Sequence, residues 1–223
     1  MEGRAKAGPT LLRRQPKTPK LGSAARLPHF CAAWLKVTTN NFIQRIVRDG
    51  YKLQFHSPPV MPPYSPRSMS DASTTVTATK VQELLREGAL KVVDPSPDQF
   101  LSHIFPVPKR TPGEFRIIFD LSILNLFVRK LTFRMDNFST LISLICPGDF
   151  LVSIDLADAY HAIAVHPLYH RFLTFVFMGV YYQYVCLPQG LTSSPRIFTK
   201  VVRAVLLIFV LSPSGLQPGW MIF

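Results

Sequence analysis

Asp155 is a residue of this 223-residue chain whose type and position suggest a chemical role. It follows residues 150–154 (FLVSI), a mostly apolar run that predicts a short buried strand. A carboxylate at the end of a buried strand is costly unless a cation or hydrogen-bond donors compensate its charge. Two interpretations follow from this stretch alone: Asp155 binds a hard cation such as Mg²⁺, or it caps the turn formed by residues 156–158.

Basic side chains lie at the tip of a predicted β-hairpin. Residues 104–107 and 115–119 read as strands, and the turn between them carries Lys109 and Arg110. Arginine binds phosphate as a fork and lysine as a point charge, so this tip could reach a phosphate group. Any solvated turn has the same composition, and the hairpin alone does not decide between the two.

Residues 187–191 (LPQGL) form a predicted loop. It contains Pro188, whose backbone φ angle is fixed, and Gly190, whose backbone can adopt many conformations. It leads into a predicted helix that begins near Ser194, with Pro195 at its first turn. A glycine-bearing loop that enters a helix suits contact with phosphate or with a backbone.

Three histidines and a cysteine lie close together in sequence: His161, His166, His170 and Cys186. A structural zinc site needs four converging ligands. Pro167 separates the second histidine from the third and argues against convergence. We therefore favour surface or core histidines over a zinc site.

The charge of the chain is strongly positive, with 25 Lys and Arg against 13 Asp and Glu, which predicts a polyanionic partner. Part of the excess lies in residues 1–36, where Glu2 is the only acidic residue. Three widely spaced cysteines, no leader-like apolar segment and an apolar run too short to span a bilayer at 204–211 predict an intracellular protein without a membrane partner. Nucleus and cytoplasm are not distinguished.

The N-terminal third predicts three kinds of segment. Residues 1–22 are basic, rich in proline and predicted to be disordered. The apolar pattern across residues 34–47 predicts an amphipathic helix that Gly50 ends. Residues 51–55 alternate like a strand, and the prolines of 57–67 predict an extended linker.

The remaining elements alternate between helix and strand. Residues 79–82 resemble a capping box that opens a helix over 80–86, with Gly88 after its end. Strands are predicted at 163–165 and on both sides of the turn within 172–185. This mixture predicts an α+β fold.

Three motifs, and their order along the chain, resemble those of reverse transcriptases. Other segments favour the branch of DIRS-like retrotransposons. The motifs are residues 105–109 (FPVPK) with 115–121 (FRIIFDL) and Asn125, residues 153–160 (SIDLADAY), and residues 187–195 (LPQGLTSSP) with Phe198. The branch is indicated by residues 27–30 (LPHF), 57–59 (SPP) and 100–102 (FLS). The resemblance extends from about Arg26 to about Val205.

The resemblance implies a right-hand polymerase fold with fingers and palm, an antiparallel palm sheet and packed helices, incomplete at the C-terminus. Residues 69–223 would be a partial reverse transcriptase domain. Residues 23–68 would form an N-terminal helical segment with a proline-rich linker, preceded by the basic arm 1–22. The expected partners are an RNA or DNA template–primer and a dNTP.

The resemblance also implies the roles of individual residues. Asp155 would bridge two Mg²⁺ ions, and the carbonyl of Leu156 would complete one coordination shell. Lys109 and Arg116 would hold the triphosphate of the incoming dNTP.

Five further residues would complete the nucleotide site. Backbone N–H groups of Asp158 and Ala159 would face the phosphates. The ring of Tyr160 would lie under the sugar and exclude a 2′-hydroxyl. Gln189 and Gly190 would contact the nucleotide and the template.

The sequence departs from the family pattern in places. Ile117 stands where proline is usual, and Ser122 where a basic residue is common. The Tyr-x-Asp-Asp turn that supplies the other metal ligands is absent, because residues 159–223 contain no Asp and no Glu. We therefore expect a catalytically impaired fragment. The alternative is an inactive remnant that only binds nucleic acid through its basic surface.

Overall fold

A computed structural model describes residues 24–111, 114–133, 150–152, 156, 158–211 and 220–222. Helices and strands are mixed in these residues, which confirms the predicted α+β class. The helices are α1 (Cys31–Val37), α2 (Asn41–Asp49), α3 (Asp71–Glu87), α4 (Ser122–Asn125) and α5 (Ser194–Leu211). The strands are β1 (Leu90–Val93), β2 (Leu101–Pro108), β3 (Phe115–Asp120), β4 (Phe150–Val152), β5 (Thr174–Phe177), β6 (Val180–Tyr184) and β7 (Trp220–Ile222).

The main sheet has five strands in the order β1-β6-β5-β2-β3. Its β1–β6, β5–β6 and β2–β3 pairings are antiparallel, as predicted, whereas β2 and β5 run parallel. A separate pair, β4 with β7, is also parallel, so the prediction of an antiparallel sheet is wrong for these two pairings. Both parallel pairs join strands that are far apart in sequence, and parallel neighbours need such a long connection.

The two predicted hairpins are confirmed. In the first, Val107 of β2 lies opposite Arg116 of β3, so the hairpin holds this arginine beside the tip. In the second, the turn between β5 and β6 has positive φ angles at Met178 (50°) and Gly179 (77°). Positive φ at both central residues matches the twist that two antiparallel strands require.

Helix α3 begins at Asp71, nine positions before the predicted start at Lys80. Its N-cap is Ser70, whose hydroxyl accepts a hydrogen bond from the Ser73 N–H. The hydroxyl of Thr79, predicted as a cap, instead donates to the Thr75 carbonyl (3.1 Å) inside the helix. Threonine has a low helix propensity, so the Thr-rich residues before Lys80 did not indicate a helix, and the predicted start is wrong. Gly88 ends the helix as predicted, with φ 75°.

The predicted single helix over residues 34–47 is two helices. Residues 38–40 interrupt it, and the Asn40 side chain caps α2 by accepting from the Phe42 N–H (2.9 Å). The strand predicted at 51–55 is wrong, because this segment forms only isolated bridges, Tyr51 with Val165 and Phe55 with Val128. The strand predicted at 163–165 is likewise reduced to bridges.

One hydrophobic core joins the helices to the sheet. Helix α5 begins at Ser194 as predicted and buries Ile197, Val201 and Ala204, which lie on one face. The linker over residues 58–70 contains no helix or strand, in agreement with its prolines. No helix in the described part of the chain is long and apolar enough to cross a membrane. The predicted arm 1–22 and the predicted strand-end residue Asp155 lie outside the described residues.

Gly50 should be the least replaceable glycine at a turn. Its φ of 85° and ψ of 160° belong to a region that only glycine adopts readily, and a Cβ there would lie 2.7 Å from the His166 nitrogen. We expect Gly50→Ala to lower the free energy of unfolding by about 3 kcal/mol or more, from backbone strain and collision together. Urea denaturation measures this change.

Gly179→Ala is the matched control. Gly179 also has positive φ, but a Cβ there meets nothing within 4 Å. Only backbone strain, about 1–2 kcal/mol, should remain. Equal losses of unfolding free energy in the two variants would show that the backbone at His166 moves away from the added Cβ at no energetic cost.

Candidate active site

A cavity of about 510 Å³ lies between α3, the tip of the β2–β3 hairpin and the loop that contains Gln189. Its volume falls within the usual range for small-molecule sites. Four of the residues predicted for the nucleotide site line it, although they lie far apart in sequence. These are Lys109, Arg116, Asp158 and Gln189.

The two predicted phosphate-binding cations differ in their surroundings. The Lys109 Nζ lies 3.0 Å from Glu114 Oε2 in an exposed ion pair. The Arg116 side chain has no ion-pair partner among the described residues, although it faces the cavity. Exposed ion pairs contribute little to stability, so Lys109 can exchange Glu114 for a phosphate at small cost. Arg116 is the more readily available of the two.

The polar residues that line the same cavity but were not predicted for it include Lys80, Glu83 and His161. Lys80 Nζ and Glu83 Oε2 form an ion pair (3.0 Å) on α3. Lys80 and Glu83 share one face of α3 with Val76 and Thr79. The sequence would have indicated this face if the helix had been predicted to start at Asp71.

Glu87 and His161 form a buried acid–base pair in the wall beside Asp158. Glu87 Oε2 and His161 Nδ1 are 3.7 Å apart, and neither atom has a hydrogen-bond partner among the described residues. Burial raises the pKa of Glu87, and the charge of Asp158 raises it further. Burial lowers the pKa of His161. The site therefore favours the neutral form of each group.

The chain next to Asp158 is strained and tightly bonded. Asp158 has φ 47° and ψ 43°, a left-handed conformation that is uncommon outside glycine. Its carbonyl accepts from the His161 N–H (2.8 Å), which closes the short 3-10 helix Ala159–Ala162. Tyr160, in this helix, packs edge-on against Phe198 of α5, with ring centroids 5.4 Å apart. Tyr160 thus lies beside the cavity rather than in its lining.

Asn125 fixes the loop that carries Gln189. Its Nδ2 donates to the Gly190 carbonyl (2.8 Å), and its Oδ1 accepts from the Thr192 N–H (2.9 Å). Gly190 has φ 95°, and a Cβ there would lie 2.9 Å from the Phe119 carbonyl oxygen. The loop can approach the end of β3 this closely only because residue 190 is glycine.

The predicted metal ligands are only partly described. Asp155 lies outside the described residues, and Leu156 is exposed. The carboxylates that line the cavity are Asp158 and the ion-paired Glu83. The described part of the chain contains no group of three or more His, Cys, Asp or Glu side chains that could hold a metal ion. These two carboxylates do not by themselves form a site for two Mg²⁺ ions.

Comparison with known proteins agrees with the motifs that line the cavity. Residues 107–209 match the family described as reverse transcriptase (RNA-dependent DNA polymerase). The chain carries a fragment of a reverse transcriptase domain. The matched range includes the hairpin tip, the 3-10 helix after Asp158 and the loop at Gln189, so the cavity is built largely from reverse transcriptase sequence.

The relatives of this reverse transcriptase fragment include retroviral polyproteins. The Gag-Pol polyprotein of Walleye dermal sarcoma virus is 32% identical over 44% of this chain and 6% of the polyprotein. The Pro-Pol polyprotein of Simian foamy virus type 3 (strain LK3) is 24% identical over 63% of the chain and 12% of its own length. The Gag-Pro-Pol polyprotein of Human T-cell leukemia virus 2 is 33% identical over 46% of this chain and 8% of the polyprotein. The chain therefore spans an eighth or less of these relatives.

Replacing Asn125 should loosen the Gln189 loop of the reverse transcriptase fragment. Asn125→Ala removes both hydrogen bonds between α4 and the loop, at a cost of about 1 kcal/mol each. We expect faster amide hydrogen exchange across residues 187–193. Ser122→Ala is the control on the same helix, because its hydroxyl donates only to Asp120 among the described residues. Loop exchange that rises equally in both variants would contradict a specific role for Asn125.

Replacing Glu87 with glutamine should stabilise the protein in a pH-dependent way. Because burial raises the pKa of Glu87 in the folded state, ionising this carboxyl costs folded-state stability as pH rises above its unfolded pKa of about 4.3. Glu87→Gln removes that cost. We expect a higher melting temperature than wild type at about pH 7, and a difference that shrinks below about pH 4. A variant less stable at neutral pH would show that the ionised carboxylate is compensated.

Proposed function

We propose that the chain forms the fingers and part of the palm of a DIRS-like retroelement polymerase, and that the cavity receives the triphosphate of an incoming dNTP. One observation carries the proposal: Lys109, Arg116, Asp158 and Gln189 come from three separate motifs and line one cavity. The N-terminal segment at residues 27–30 supports the DIRS-like branch. The template–primer, RNA or DNA, would enter on the side of the Gln189 loop.

Arg116 would be the main phosphate ligand. A guanidinium donates two parallel hydrogen bonds to one phosphate, and charge-assisted bonds of this kind are about twice as strong as neutral ones. Lys109 would add a second cation once it leaves Glu114. The backbone N–H groups of Asp158 and Ala159 would face the same phosphates from the strained turn.

Tyr160 and the glycine loop would select and align the nucleotide. The ring of Tyr160 is held against Phe198, and a ring held in place can exclude a 2′-hydroxyl more effectively than a mobile one. Gln189 and Gly190 would contact the nucleotide and the template from a loop that Asn125 keeps in position.

Asp155 and the Leu156 carbonyl would hold Mg²⁺, which in such sites neutralises phosphate charge and activates the attacking hydroxyl. Reverse transcriptases generally use a divalent metal ion. In this chain the carboxylates for a second ion are absent after Asp158, because residues 159–223 contain no Asp or Glu. We therefore propose nucleotide binding with impaired catalysis. The second candidate, an inactive remnant that binds only nucleic acid, is favoured by the net charge of +12.

Nucleotide binding tests the site. A fluorescent dATP analogue titrated into the full chain should bind at least about tenfold more weakly to Arg116→Gln, which loses a hydrogen bond to a charged group. Arg110→Gln is the matched control, since Arg110 lies at the same exposed hairpin tip but does not line the cavity. Equal affinities for wild type and Arg116→Gln would remove the cavity from consideration as the nucleotide site.

Primer extension tests catalysis. On a poly(rA) template with Mg²⁺ or Mn²⁺, we expect the wild-type chain to extend no more than Asp155→Ala, because one carboxylate cannot hold two ions against a triphosphate. Extension by the wild type that Asp155→Ala abolishes would show that the catalytic impairment we propose is wrong.

A further inference from the structure

The proline-rich linker between α2 and α3 follows strand β2 toward the hairpin tip. The ring of Tyr64 stacks on the ring of His103, with centroids 4.9 Å apart, and the His103 Nε2–H donates to the Ser65 carbonyl (2.9 Å). Two residues further along both segments, the Arg67 guanidinium lies 4.8 Å from the centroid of the Phe105 ring. The contacts come in the same order along the linker and along β2. The linker therefore runs parallel to the strand.

Arg67 contacts both strands of the hairpin. Its guanidinium lies over Phe105 of β2, and its Nη2 atom lies 4.0 Å from Oδ2 of Asp120 at the end of β3. The other carboxylate oxygen of Asp120 accepts from the N–H (3.1 Å) and the hydroxyl (2.6 Å) of Ser122. These hydrogen bonds lower the pKa of Asp120, and the charge of Arg67 lowers it further, so the carboxylate is ionised at neutral pH. We call the contacts of Arg67 with Phe105 and Asp120 the Arg67 clamp.

The chain next to Arg67 is fastened to α3. Arg67 lies three positions before Ser70, whose side chain caps the helix by accepting from the Ser73 N–H. Met69, between them, packs against the core, and its sulfur lies 3.9 Å from the hydroxyl of Thr77, a fully buried residue of α3. The backbone of Arg67 therefore has little freedom to move relative to the first turns of α3. Through Arg67, the start of this helix is joined to the hairpin.

The Arg67 clamp lies on the side of the hairpin that faces away from the nucleotide cavity. Ile104 and Phe119 lie opposite each other in the β2–β3 register, both are buried in the core, and Phe119 also lines the cavity. Side chains alternate between the two faces of a strand, so Phe105 and Asp120 belong to the other face. Helix α3 and the hairpin are two walls of the cavity. Arg67 connects these two walls from behind.

We propose that Arg67 is a positioning residue for the nucleotide cavity: the Arg67 clamp sets the distance between α3 and the hairpin, and with it the place of Arg116. This inference rests on the proposed function, and it gives the linker a role in that function. Arg67 does not line the cavity, so it acts only through the position of the hairpin. Molecules whose hairpin is displaced lack one wall of the site, and the apparent nucleotide affinity falls with the fraction that is in place.

Each contact of the Arg67 clamp is weak, because 52% of the Arg67 side chain is exposed. An exposed cation–aromatic contact and an exposed ion pair each shift an equilibrium by about fivefold or less. Losing both should raise the population of displaced hairpins about threefold to tenfold. The burial of Ile104 and Phe119 does not depend on the clamp, so we expect the chain to remain folded without it.

Amide hydrogen exchange and nucleotide binding test this role in the full chain, at about 0.15 M salt, where distant exposed charges are screened. In Arg67→Gln without nucleotide, the amides of β2 and β3 should exchange about threefold to tenfold faster, while those of α5 should not change. The affinity for the fluorescent dATP analogue should fall about twofold or more. Arg86→Gln is the matched control and should change neither quantity, because Arg86 is an exposed arginine at the other end of α3 that does not line the cavity.

A second variant tests whether Arg67 acts through the ring beneath it. Phe105→Leu keeps an apolar side chain without the ring, and in this background Arg67→Gln should cost less in both measurements than it does in wild type. An equal cost in the two backgrounds would overturn the inference. So would hairpin exchange in Arg67→Gln that matches Arg86→Gln.

The two measurements also separate positioning from stability alone. Faster hairpin exchange in Arg67→Gln with unchanged affinity for the dATP analogue would show that Arg67 stabilises the hairpin without positioning the nucleotide site, and the inference would be wrong. Wild-type chain that does not bind the analogue would instead count against the proposed function. Exchange of the nucleotide-free hairpin would then still report whether the Arg67 clamp holds the two strands.

Discussion

The two hydrogen bonds of Asn125 connect the β3–α4 segment to the loop that carries Gln189. They join α4, which directly follows β3, to the loop between Gly190 and Thr192, which directly precedes α5. Arg116 lies on β3 and Gln189 on the loop, so their relative position in the cavity is set by this connection. The carbonyl of Phe119, against which Gly190 packs, adds a second constraint at the same point. A side chain at residue 190 would separate the two walls.

The cations that line the nucleotide cavity differ in how their charge is compensated. In the nucleotide cavity, Lys80 and Lys109 are already paired with Glu83 and Glu114. Arg116 has no ion-pair partner among the described residues and can bind a ligand directly, whereas Lys80 and Lys109 must first leave their carboxylates. A compact, highly charged group such as a triphosphate suits such a site better than a diffuse one.

How much the sequence predicts depends on whether a signal is local. The β2–β3 hairpin, the turn at Gly179, the end of α2 at Gly50 and the start of α5 follow from residues adjacent in sequence, and each is confirmed. The predicted start of α3 is wrong because the run of Ser and Thr residues after Ser70 has low helix propensity, and the packing of the helix on the sheet, which outweighs it, is not local in sequence. The parallel pairing of β2 with β5 arises between segments about 70 residues apart. Nothing in either strand specifies that partner.

The residues of the candidate site also divide into those with a local sequence signal and those without one. Lys109, Arg116 and Gln189 could be named from motifs, but Glu87 and His161 could not, because their pairing requires the end of α3 to meet the turn after Asp158. That meeting is held by the backbone of the N-terminal segment, where the Ala24 N–H donates to the Glu87 carbonyl and the Ala25 N–H to the His161 carbonyl. A pattern of side chains carries no trace of such a contact.

Binding and catalysis place different demands on this chain, and only one of them requires carboxylates. In the proposed function, Arg116 and Lys109 bind phosphate through cations carried by strand β3 and by the tip of the hairpin. Two-metal chemistry needs several oxygen ligands held within a few ångströms of one another. After Asp158 the chain offers no acidic side chain for that purpose. The residues proposed to bind nucleotide are therefore distinct from the carboxylates that two-metal catalysis would need, so the proposed binding does not depend on those carboxylates.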